Sequence, residues 1–116
     1  MSPRPLLHLE GGAVLAASVF AYHRLNGSLL LFAILFLAPD LSMAGYFGGV
    51  RLGAIMYNAI HTYLGPFVLA VYSTLTGHPA LLPIALIWIA HIGFDRLLGF
   101  GLKYPTNFKD THLSRL

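Results

Sequence analysis

The chain has 116 residues, of which 57% are hydrophobic and 9% charged, with a net charge of +3 and a mean hydropathy of +0.73. Soluble domains average about 25% charged residues, and a domain this short leaves roughly a third of its unfolded surface in water, so an ordinary water-soluble globule is excluded. The seven basic residues are scattered around apolar runs and leave no nucleic-acid footprint; the absence of cysteine excludes disulfides and thiolate metal sites.

Four apolar segments follow one another: Leu6 to Tyr22, Ser28 to Phe47, Leu52 to Thr74 and Leu81 to Phe100. Each is close to the ~20 residues that a helix needs to cross a bilayer. The first resembles a signal peptide only faintly, because His8 and Glu10 interrupt its apolar stretch, and it is expected to stay as a helix. The connections are short and carry turn chemistry: His23 to Gly27, then Gly48-Gly49, then Thr76-Gly77-His78-Pro79. Short connections imply antiparallel neighbours. The expected architecture is therefore all-α: one domain over residues 1–116, folded as an antiparallel bundle of four transmembrane helices.

Arg4, Arg51, Arg96, Lys103, Lys109 and Arg115 fall on one side of this arrangement and Arg24 on the other. The positive-inside rule then puts both termini in the cytoplasm. The polar C-terminal tail, with Lys103, Tyr104, Phe108 and Lys109, is expected to lie on the membrane surface against anionic headgroups; His112 and Asp110 raise the alternative of a lid.

Prolines interrupt two of the segments. Pro66 crowds the carbonyl of Thr62, beside His61, and Pro39 adjoins Asp40, so each broken hydrogen-bond ladder sits beside an ionisable group. Ionisable side chains inside spans cost roughly 2.5–3.5 kcal/mol each on insertion scales and default to a functional reading. Here they are Glu10, Asp40, His61, His91 and Asp95. Counted in helical rise from the cytoplasmic side, the three acids lie roughly 8–10 Å deep and the two histidines roughly 13–15 Å deep, all in one leaflet. Trp88, His91 and Asp95 share one stripe, as do Asn58, His61 and Gly65, while Ala13 and Ala17 behind Glu10 suggest a groove for a neighbouring helix.

These faces predict a pocket with Tyr46 and Tyr57 as walls and with Asn58, Trp88, Arg51, Arg96 and His112 nearby. His61, His91, Asp95 and Asp40 are the candidate ligands of a divalent ion (Zn, Mn or Fe), and Glu10 is the candidate general base. Each residue also has a purely structural alternative. The histidines can be hydrogen-bonded packing residues, Asp95 can pair with Arg51 or Arg96, Asp40 can cap a short helix through Tyr46, and Glu10 can reach the membrane surface or pair with Arg4 or Arg51.

Pro39-Asp40-Leu41-Ser42-Met43-Ala44-Gly45-Tyr46, Tyr57-Asn58-Ala59-Ile60-His61-Thr62-Tyr63, Ile87-Trp88-Ile89-Ala90-His91-Ile92-Gly93-Phe94-Asp95-Arg96, the run Gly99 to Pro105 and Phe108 to Leu113 together resemble an uncharacterised family of small bacterial membrane proteins. The resemblance covers nearly the whole chain. It implies a four-helix integral membrane architecture in the bacterial inner membrane, and no established activity. The leading expectation is a metal-dependent membrane hydrolase acting on a lipid or membrane-associated substrate. The alternatives are a non-catalytic subunit of a homo-oligomer or larger complex, and a small proton or ion pathway.

Overall fold

The computed structural model describes residues 3–103 and 111–113. Five α-helices are formed among them: α1 (Pro3–Arg24), α2 (Leu29–Phe36), α3 (Val50–His61), α4 (Leu64–Thr76) and α5 (Leu81–Leu98), with a 3₁₀ segment over Ala38–Gly48 between α2 and α3. The first and last expected segments are single helices, whereas the middle two are each broken once. Pro39 has no N–H to continue α2 and clashes with the preceding turn, so the chain tightens into eleven residues of 3₁₀ helix, far more than the usual three or four. Pro66 acts likewise on the third segment. Thr62 turns extended (φ −94°, ψ 151°), and α3 and α4 meet at a bend of 40°.

Among the described residues three rods are long and apolar enough to cross a membrane: Pro3–Arg24, the α2 and 3₁₀ run Leu29–Gly48, and Leu81–Leu98. A fourth arises if the bent α3–α4 pair is one span. Exposed apolar side chains agree with a lipid surround: Leu29, Phe47 and Leu75 are 86%, 96% and 80% exposed, which water would not tolerate in such numbers.

Packing order differs from chain order. α5 is the central helix, with 44% of its apolar window buried against 17% for α1, and it packs against α1, α2 and α4, while α3 pairs with the 3₁₀ segment as a tight hairpin through Gly48-Gly49. Gly49 at φ 112° makes that reversal possible. The principal partner of α1 is thus the last helix and not its neighbour in sequence.

The groove expected behind Glu10 is displaced by one residue. Ala13 and Ala17 are exposed, and α1 instead buries Gly11, Ser18 and Tyr22. Gly11 faces Gly93 of α5 so closely that a Cβ on Gly93 would sit 2.8 Å from both Gly11 O and Leu15 N. Backbone atoms cannot yield as a side chain can. Gly93→Ala is therefore expected to lower stability by about 1–3 kcal/mol, the usual range for overpacking. Gly12→Ala, which meets only the flexible Leu97 Cδ1 at 3.2 Å, should cost much less. Thermal unfolding of both variants in detergent, with equal losses as the contrary outcome, checks this.

Candidate metal centre

His61 closes α3, His91 and Asp95 stand one turn apart on α5, and Asp40 lies in the first turn of the 3₁₀ segment. Their four donor atoms lie within 4.8 Å of one another. His61 Nε2 is 3.2 Å from His91 Nε2, 3.5 Å from Asp40 Oδ1 and 3.4 Å from Asp95 Oδ2. His91 Nε2 is 3.2 Å from each of the same two carboxylate oxygens. A tetrahedral ion with ligands at about 2.0–2.1 Å requires edges of about 3.3–3.4 Å between donors. Five of the six edges fall around that length.

The second ring nitrogens fix which atoms face inward. His61 Nδ1 donates to Tyr57 O at 2.9 Å, and His91 Nδ1 donates to Phe36 O. A carbonyl only accepts, so both Nδ1 atoms carry hydrogen and both Nε2 atoms are turned toward the two carboxylates and each other. This is the outer-shell arrangement that orients ligand histidines. Asp95 Oδ2 is buried, and apart from the two imidazoles it has no hydrogen-bond partner among the described residues. All four groups can ligate one dication.

The broken helices supply the carbonyls that hold this geometry. Asp40 N bonds Leu37 O at 3.2 Å, a 3₁₀ bond, which leaves Phe36 O to His91. The bend after α3 similarly leaves His61 O to Arg96 Nη2 at 2.8 Å, while Arg96 Nη1 reaches Phe100 O at 3.0 Å. Tyr57 stacks on the His61 ring (centroids 3.7 Å, 3° between planes), and Phe36 meets His91 edge-on at 5.2 Å. Both imidazoles are thus held in plane and in rotation.

Several expectations change. Glu10 is exposed on α1 and does not join the group, because α1 turns its glycine face to α5. Arg51 is exposed in the first turn of α3, and Tyr46 packs over Gly53 in the hairpin instead of walling the site. Asp95 pairs with neither arginine: Arg96 is spent on two backbone carbonyls. Asp40 caps nothing, since the 3₁₀ segment begins two residues before it. Tyr57 does line the centre; Trp88 lies one turn away and donates to Ile60 O at 2.6 Å.

The C-terminal residues were the least legible. Lys103, expected at the membrane surface, is 5% exposed with Nζ 4.7 Å above the Tyr57 ring, and Leu113 is fully buried. Asn58 clamps Lys103 from both sides, Nδ2 to O at 2.8 Å and Oδ1 from N at 2.6 Å. Residues 102–103 pair back on 111–112 through a bridge between Lys103 and Thr111, with Leu102 N donating to His112 Nδ1 at 2.7 Å. Tyr104, Phe108, Lys109 and Asp110 lie outside the described residues. Asp40, Met43, Tyr57, Asp95, Phe100 and Lys103 enclose a cavity of about 250 Å³ beside the four donors. The roles of Asn58, Arg96 and Lys103 are carried by hydrogen bonds across 35 to 45 residues, for which sequence spacing holds no signal.

Helices long and apolar enough for a bilayer, folded around a buried His–Asp group, define a membrane-type helical domain with a candidate metal centre. The chain belongs to the family described as Domain of unknown function (DUF4260), which it matches over residues 4–116. No match was found among curated proteins or among solved structures.

Burial and the nearby Arg96 charge hold the His112 imidazole below its ordinary value of 6.5, and Nδ1 must keep its lone pair to accept from Leu102 N. The folded form thus prefers neutral His112. The C-terminal fold is fully stable above pH 6.5 and weakens as pH falls below it. Limited proteolysis should cut this region faster at pH 5 than at pH 7.5, and His112→Ala should be cut fast at both. A wild-type rate independent of pH would contradict this.

Proposed function

We propose that this chain is a membrane metalloprotein of the bacterial inner membrane, with one divalent ion held by His61, His91, Asp95 and Asp40, and that it hydrolyses a lipid or membrane-associated substrate from the cytoplasmic side. What carries the reading is that five of the six donor distances, 3.2 to 3.5 Å, match tetrahedral edges around two imidazoles whose Nδ1 hydrogens are already committed. Two nitrogens and two oxygens in tetrahedral array favour zinc over the softer or octahedral alternatives. The excess of basic residues at the N-terminus, second connection and tail supports cytoplasmic termini.

The four ligands are unequal. His61, His91 and Asp95 are buried, whereas the Asp40 side chain is 39% exposed and lines the 250 Å³ cavity. Three buried ligands and a half-exposed fourth, Asp40, that can give way to water approach the pattern of a catalytic zinc. The ion would supply Lewis acidity and an acidified water there. Asp40, in place of Glu10, is the group positioned to take that water's proton. Tyr57 keeps the His61 plane fixed, and Arg96 keeps the end of α3 docked on α5. A purely structural ion is the competing reading, favoured by the closure of all four ligands.

Metal analysis of protein purified in detergent without chelators should find about one zinc per chain. Asp95→Asn and His91→Ala should each lose most of it, while Asp40→Asn should retain the ion and abolish turnover. Absence of bound metal in the folded wild type rejects the metal reading. Loss of metal in Asp40→Asn as complete as in His91→Ala would instead identify a structural ion.

A further inference from the structure

A second cavity lies on the opposite side of the donor group. It measures about 220 Å³ and is bounded by Leu35, Ala38, Pro39, Ile60, Ile84 and Trp88. None of these side chains is charged. Along α5 the order is unambiguous: Ile84 and Trp88 precede His91 by about 10 and 5 Å of helical rise, then come His91 and Asp95, and then Phe100 and Lys103 on the other cavity. Adjacent residues repeat the change of side, since Pro39 lines the apolar cavity and Asp40 the polar one.

Each space alone falls short of the roughly 300 Å³ at which small-molecule sites begin, and only the two together reach it. One holds a lysine, two carboxylates and a tyrosine; the other would receive nothing but hydrocarbon. Ile84, at the edge of the apolar space, is 36% exposed on a helix that is long and apolar enough to lie in the bilayer. A chain could therefore enter sideways from lipid.

We infer that the two cavities form one site for a single-chain amphiphile with an anionic headgroup, its alkyl or prenyl chain against Trp88 and Ile84 and its phosphate or carboxylate beside Lys103 and the ion. This rests on the metal reading for its charge: with a dication among the donors, the polar cavity is cationic overall and selects an anion. The bond nearest the ion is then the one joining headgroup to chain. For a phosphate monoester, hydrolysis adds the water oxygen to phosphorus, breaks the ester P–O bond and returns the proton to the departing alcohol. The products are inorganic phosphate and the free alcohol, with no redox change.

Trp88 is the only tryptophan, so its fluorescence reports the groove directly. With zinc-loaded protein in nanodiscs of zwitterionic lipid, a dodecyl phosphate brominated near the chain end should quench Trp88 saturably, and unlabelled dodecyl phosphate should reverse it. Dodecanol and inorganic phosphate should each compete at least ten-fold less well, which separates a lipid headgroup from free phosphate. Ala38→Phe, which fills the groove from a position that supplies no donor, should weaken the amphiphile ten-fold or more with zinc content unchanged. Zinc bound at full stoichiometry with no saturable quenching, or with Ala38→Phe without effect, overturns the amphiphile site and leaves the metal reading standing. A zinc-free wild type fails the metal reading instead, and saturable quenching without zinc would place the selectivity in Lys103 alone and overturn the ion's part in it. Inorganic phosphate competing as well as dodecyl phosphate would show an anion site with no chain requirement and would also overturn the inference.

Discussion

Two carboxylates share one group with two buried imidazoles, each Nε2 lying 3.2 to 3.5 Å from the other and from both carboxylate oxygens, and the two carboxylates repel each other unless positive charge lies near them. In a low-dielectric interior that repulsion is barely screened. The four groups could hold a dication, and the Nδ1 hydrogens anchored on Tyr57 O and Phe36 O turn both Nε2 atoms toward that place.

The fold supplies the Phe36 anchor, and the His61 carbonyl that Arg96 holds, by breaking helices. An uninterrupted second span would tie Phe36 O to the N–H four residues on, and an uninterrupted third would do the same for His61 O. Pro39 and Pro66 break the ladder one residue away, at Leu35 O and Thr62 O, and the tightening and bend of the chain draw the Asp40 and Gly65 amides away from Phe36 O and His61 O. Each freed carbonyl then has a partner on α5: the His91 ring for one, the Arg96 guanidinium for the other. Unpaired backbone at membrane depth is expensive, so these bonds stabilise the breaks and fix the site in one stroke. α5 can serve both because it is the central helix, admitted close to α1 by the Gly11–Gly93 contact.

The donor group also marks a boundary between chemistries. Toward Ile84 the walls are apolar, and toward Lys103 they are polar and roofed by the returning C-terminal residues. Asn58 and His112 hold that roof through backbone hydrogen bonds, while Lys103 lies over Tyr57, the same ring that stacks on His61. The centre and its covering therefore share one aromatic side chain, and a change in either is felt by the other.

Composition and hydropathy determined the all-α, membrane-type class, because hydrocarbon demands long apolar helices whatever their arrangement. Local spacing determined that His91 and Asp95 share a face, and the cost of ionisable groups within apolar runs singled out Asp40, His61, His91 and Asp95. Periodicity left Glu10 one step from its true neighbours: a helix of nearly uniform apolarity has no preferred face, and only contact with Gly93 decided that Gly11, and not Glu10, points inward. Likewise, Lys103 reads as a surface anchor until Asn58, 45 residues earlier, draws its backbone inward. Residue type and helical repeat are local quantities. Which side of a helix meets a partner, and which distant backbone takes up a freed carbonyl or amide, depends on packing between segments, and that was settled only in the tertiary structure.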